Sequence, residues 1–298
     1  MTMNASITSG QETQLDRFGE DAGKHAIRVA RNKIPLDKDA TQRLLMRGDE
    51  FKSVMADAAI AAARELALTD RFKDEEVESS YVYPAGYQPK PLEAQIEILR
   101  GKWPKLNAGA WIAGLEKAVP PGAEFLSAFV RWEALAPTYN DAVNNEILPA
   151  LSDQRGGKFK NWWKGQLGPD RLRQNARTKG VLERIASVQQ GDILVTGSQF
   201  GMLHRGRSVR RAREILIASE FGHGSFTGGC LLLTHPERLV SYDDLWLDLP
   251  GDDYRPGGKG EFVGAPYFDF RDGELRFDAG FVDAALKRYG SVSGCSLQ

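Results

Sequence analysis

The 298-residue chain carries 39 lysines and arginines against 40 aspartates and glutamates, a formal net charge of −1, with 42% hydrophobic and 27% charged residues. That balance is ordinary for a globular protein and excludes wholesale coating of nucleic acid, so any such binding must come from a local patch. Two cysteines, Cys230 and Cys295, are too few for a disulfide framework and lack metal-ligand spacing, which predicts a reduced, cytoplasmic setting.

Residues 1–12 are small and polar without periodicity and read as a disordered tail. Met1 to Glu20 lacks the cationic start and apolar stretch of a signal peptide. Helical spacing marks the region 13–78, clearest from Asp37, where Leu44, Leu45, Phe51, Val54 and Met55 recur with charges between them and Gly48 either splits or weakens the helix. The weakly polar run Val54 to Leu68 is interrupted by Asp57, Arg64 and Glu65, too short and too charged to cross a bilayer, so no membrane partner is expected. Three prolines and three tyrosines in 79–91 read as a linker, followed by a mixed domain over 92–298 that turns β-rich from 191.

Within that domain Leu92 to Leu99 reads as a helix and Phe125 to Trp132 as a strand. Thr138 caps a helix in which Tyr139, Val143, Ile147 and Leu151 follow at spacings of four. Pro169 suits the first turn of another helix. Strand patterns follow at Ile193 to Thr196, Gly229 to Thr234 and Leu245 to Leu249. A hairpin turning at Asp272-Gly273 pairs Arg271 with Glu274, Phe270 with Leu275, Asp269 with Arg276 and Phe268 with Phe277. That register puts Phe268, Phe270, Leu275 and Phe277 on one buried face. Helical first two thirds and a β-rich last third predict an α+β fold.

The densest charge lies in His204 to Arg213, with five arginines, a histidine and no acid. Arginine offers a fixed fork of donors that matches phosphate or carboxylate. Ser208 caps a helix running to about Glu220, although the apolar run Ile215 to Ala218 fits a strand as well. Arg205, Arg207, Ser208, Arg210 and Arg213 are therefore the candidate anion-binding residues. Against this stands the reading of a solvated, salt-bridged surface. Lys158, Lys160, Trp162 and Lys164 form a second, basic and aromatic loop that suits phosphates and a stacked base, while paired tryptophans also serve as core anchors.

His204, Glu220 and His223 are the candidates for proton transfer. No metal site is expected, since Glu220, His223, His235, Glu237, Asp243 and Asp244 match no ligand repeat, and no cofactor fingerprint is present. Cys230 reads as an inert core thiol and Cys295 as part of a small mobile tail.

The stretches Gln199-Phe200-Gly201, His204 to Arg213 and Leu232 to Leu239 resemble a group of uncharacterised bacterial proteins, over the C-terminal third best. The resemblance implies a bacterial, intracellular protein and carries over no functional residue. Three readings follow. The leading one is an accessory protein whose arginines meet an anionic partner, nucleic acid first. The second is an enzyme on a phosphorylated or carboxylate substrate, and the third a structural or assembly protein, with a protein partner or self-association. Arginines on an exposed face favour the first; arginines meeting histidine and carboxylate in a pocket favour the second; internal pairing favours the third.

Overall fold

Asp37 accepts the Ala40 N–H at 2.7 Å and starts a helix, while Gly48 begins the next, so the glycine does divide the run. The computed structural model describes residues 9–67, 71–109, 111–112, 119–217, 219–257 and 259–297. Three helices, α1 (Ser9–Lys33), α2 (Lys38–Met46) and α3 (Gly48–Ala67), make up a first unit, residues 1–68. The expected tail is thus helical over 9–12, and its first eight residues lie outside the described ones. No helix among the described residues is long and apolar enough to cross a membrane.

The second unit, residues 69–298, is α+β. Its boundary precedes the proline-tyrosine stretch 79–91, which is no free linker. Tyr83 donates to Glu124 at 2.6 Å, Tyr87 meets Phe200 and His235 edge to face, and Leu245 donates its N–H to Val82. The prolines hold the chain extended, and the tyrosine rings then anchor it.

Helix α4 (Leu92–Lys102) precedes β1 (Phe125–Val130). Thr138 caps α5 (Tyr139–Asp141) as expected; a π-helical stretch (Ala142–Ile147) joins it to α6 (Leu148–Gln154), and Val143, Ile147 and Leu151 are fully buried. Strands β2 (Phe159–Asn161) and β3 (Leu172–Gln174) come next. The helix expected at Pro169 begins later, as α7 (Ala176–Val188), because the Asn175 side chain caps it through Thr178 N–H. Then come β4 (Ile193–Gln199), α8 (Val209–Ile215), β5 (Glu220–Gly222) and α9 (Ser225–Thr234). Strands β6 (Trp246–Asp248), β7 (Asp252–Tyr254), β8 (Gly264–Arg271), β9 (Glu274–Phe281), β10 (Tyr289–Ser291) and β11 (Ser293–Cys295) complete the chain.

Gly229 to Thr234 is therefore helix, not strand. Every residue of α9 is buried, so its pattern is apolar all round and carries no amphipathic period. Gly228 and Gly229 let it approach closely: an added Cβ would stand 2.4 Å from Leu249 Cδ2 and 2.5 Å from Ile147 Cγ1.

One sheet has the order β1-β4-β11-β5, antiparallel throughout. The other runs β10-β6-β8-β7-β3, with β9 paired to β8 and β2. Val292, fully buried, is where the chain leaves one sheet for the other: it accepts from His223 N–H and donates to Asp248. The hairpin turns at Asp272 (φ 55°) and Gly273 (φ 78°), the two positive angles of a type I′ turn, and its register is the expected one. One expectation needs correcting. Phe268, Leu275 and Phe277 are fully buried, whereas Phe270, nearest the turn, is half-buried.

Candidate functional site

Residues two apart along a strand share a face, so pairing across β4, β11 and β5 aligns two rows. Gly197, Cys295 and Glu220 make one row, and Gln199, Ser293 and Gly222 the next. This face, with the turn Met202–His204 and the end of α8, lines a cavity of about 240 Å³. Leu203, Ile215 and Ile217 supply apolar wall; His204, Arg207, Glu220 and Ser293 supply polar groups. Gly197 keeps the floor open, since a Cβ there would stand 2.9 Å from Cys295 Sγ.

Two of the proton-transfer candidates, sixteen positions apart, meet here: His204 Nε2 lies 3.0 Å from Glu220 Oε1. Arg207 Nη1 lies 3.2 Å from His204 Nδ1 and 3.0 Å from Leu203 O. A guanidinium only donates, so Nδ1 accepts and the imidazole proton sits on Nε2, pointing at Glu220. Ser293 Oγ donates to the same Oε1 at 2.5 Å, and Gln199 Nε2 donates to Ser293 Oγ at 2.9 Å. The hydrogen bonds thus converge on one carboxylate oxygen, and Glu220 Oε2 has no hydrogen bond among the described residues. Burial pushes the Glu220 carboxyl up, but the bonds from His204 and Ser293 outweigh it and hold it below the usual carboxylate range. Burial and the Glu220 charge raise the Cys295 thiol, so it is kept protonated.

Ser293, Gln199 and Cys295 were not legible as site residues. Cys295 belongs to a buried strand rather than a mobile tail, because β11 is held between β4 and β5. The run Ser291 to Cys295 is small and short, with Val292 as its one branched residue, too little to mark a strand.

His223 is not in this cavity. It lies on the opposite face, where Ser198 Oγ meets its Nε2 at 2.9 Å, Ser127 and Thr196 extend the network, and Phe129 and Phe221 pack edge to face. Burial pushes its imidazole down to about 3. It is a neutral core histidine.

The arginine cluster is largely matched by the chain's own acids and carbonyls. The helix after Ser208 ends at Ile215 rather than near Glu220, because residues 220–222 join the first sheet as β5. Glu75 occupies its start: its carboxylate accepts from Ser208 Oγ and from Arg210 Nε and Nη2, and its carbonyl from Ser208 N–H. Arg211 bonds Glu76 and Glu214, and Arg207 Nε stands 3.4 Å from Glu76. Arg213 donates to the carbonyls of Pro250 (2.8 Å) and Asp252 (2.6 Å) and pairs with Asp253. Arg205, exposed, donates to Tyr81 O and lines a separate depression with Ser79 and Lys287. Of the five candidates, Arg207 alone lines the cavity that holds His204 and Glu220.

Arg213→Ala is therefore expected to cost about 2–4 kcal/mol, because two carbonyls and a carboxylate lose their donor. Arg210→Ala, whose side chain is 39% exposed, should cost distinctly less, since solvent screens its pair with Glu75. Urea unfolding of the two variants checks the contrast, and equal losses would refute it.

In the basic loop Lys158, Lys160, Trp162 and Lys164 are exposed, with Lys160 over the Trp162 ring. Trp163, by contrast, is an anchor: its Nε1 donates to Asp278 at 2.9 Å and its ring packs on Tyr254. Among the described residues no group of three or more histidines, cysteines or acids stands close enough to hold a metal ion. Cys230 is in the core, its thiol pushed up to about 12 by burial. No protein-family model, curated protein or solved structure matches the chain.

Proposed function

We propose that the chain is an enzyme acting on a small molecule that bears a carboxylate or phosphate. The observation that carries this reading is the union of Arg207, His204 and Glu220 in one hydrogen-bonded chain along one cavity. Arg207 holds the anion, the apolar walls hold the substrate's body, and the ionised Glu220 takes a proton through Oε2. His204 and Ser293 are positioning residues that fix the carboxylate and its charge state. At about 240 Å³ the cavity lies below the roughly 300–1,000 Å³ usual for drug-sized ligands, so its substrate is small. Both cysteines are free and buried, which suits a reducing cytoplasm.

The nucleic-acid reading retains one support, the exposed Lys158, Lys160, Trp162 and Lys164. Its arginine half is weakened, since Arg210, Arg211 and Arg213 already hold carboxylates.

The test is thermal unfolding with millimolar 4-methylpentanoate and isopentyl phosphate. At least one is expected to raise the midpoint of the unaltered protein and not that of Arg207→Gln. Turnover is read by mass spectrometry on a mixture of small carboxylates and phosphate esters, with Glu220→Gln as the inactive control. Fluorescence anisotropy with single- and double-stranded DNA and RNA at two salt concentrations serves the rival reading. Salt-sensitive binding there, with no midpoint shift by the small anions, would reverse the assignment.

A further inference from the structure

We infer that α1 is a self-association surface, which pairs antiparallel with α1 of a second copy of this chain.

Among the described residues of the first unit no side chain is buried. Helices in water draw most of their stability from packing an apolar face, so three helices without a core need a further surface to pack against. On α1, which is 25 residues long, Gly23, Ala26, Val29 and Ala30 are half-buried. Phe18, Ala22 and His25 are exposed, Phe18 at 71%. Phe18, Ala22, His25 and Val29 follow at spacings of four, three and four, the seam of a two-helix coiled coil. Asp21 and Arg28, seven positions apart, lie together on one flank of that seam.

Charge names the occupant. Every acid of α1 precedes Ala22, and four of its five lysines and arginines (Lys24, Arg28, Arg31 and Lys33) follow Gly23. A parallel copy would set like charges side by side, whereas an antiparallel copy lays the acidic half along the basic half. Facing Phe18 with Val29 of the second copy, and Ala22 with its His25, brings Asp21 against Arg28 across the flank. The two-fold axis makes that pair twice. Within its own helix the chain leaves the pairing open. Lys24 spans Glu20 (3.7 Å) and Asp21 (3.9 Å) in solvent, and Arg28 reaches only His25 Nδ1, at 3.3 Å. Seam and charge are therefore self-complementary, which a second copy meets and a partner of single sign does not.

The test is sedimentation equilibrium of the full chain across the micromolar range, where the unaltered protein is expected to dimerise. Asp21→Arg and Arg28→Asp each oppose like charges twice and should weaken the dimer at least about tenfold. Phe18→Ser, which removes apolar seam without changing charge, should weaken it likewise. An equal mixture of Asp21→Arg and Arg28→Asp restores both opposite-charge pairs and should regain the affinity of the unaltered protein. A monomer throughout, a dimer indifferent to these substitutions, or a mixture no tighter than the single variants overturns the inference.

Discussion

Phe277→Ala is expected to lower stability by about 3–5 kcal/mol, the range for removing a fully buried aromatic ring. The ring is buried completely and packs on Phe268 with centroids 5.1 Å apart. Its strand β9 is central, bonded to β8 on one side and to β2 on the other. The cavity left behind therefore has rigid sheet around it and little room to collapse. Phe270→Ala, two cross-strand pairs nearer the turn and half-buried, should cost distinctly less. Denaturant unfolding of both variants gives the comparison. A loss under about 1 kcal/mol for Phe277→Ala would refute the burial of this face.

That hairpin was readable because three local signals agree within ten residues: an Asp-Gly turn, strict alternation and paired opposite charges. The charges settle differently in detail. Arg276 turns to Asp272 and Glu274 and Arg271 to Asp269, since each arginine reaches past its direct partner. Helix α9 was not readable, because burial on every side erases the periodicity that tells helix from strand.

The site shows the same division. His204, Glu220 and Arg207 could be named as candidates from residue type, yet their meeting depends on β5 ending the preceding helix early. Glu75 and Glu76, which hold Arg210 and Arg211, come from 135 positions upstream. Local charge density therefore marked a cluster of donors without revealing that the chain supplies much of the anion itself. Ser293 and Cys295 arrive from a three-residue strand whose identity exists only through its neighbours.

Acidification should separate the buried histidines from the buried aspartates. Burial pushes His223 down to about 3 and His235 down to about 4, against about 6.5 in the unfolded chain. Between those limits the unfolded state binds more protons, so these residues make the fold less stable as pH falls below about 6.5. By pH 5 each loses about 2 kcal/mol. Burial raises Asp252 and Asp269 to about 6 from 3.8, so there the folded state binds more protons. These two stabilise the fold as pH falls through 6 and partly offset the histidines. Single variants expose the opposing parts. His223→Gln removes one falling contribution, so its stability relative to the unaltered protein should improve by about 2 kcal/mol from pH 7.5 to pH 5. Asp269→Asn, at a carboxyl whose Oδ1 has no hydrogen bond among the described residues, should move the opposite way by a smaller amount. Urea unfolding at the two pH values measures both shifts. A His223→Gln difference that does not change with pH would mean that the imidazole takes up its proton without leaving the fold.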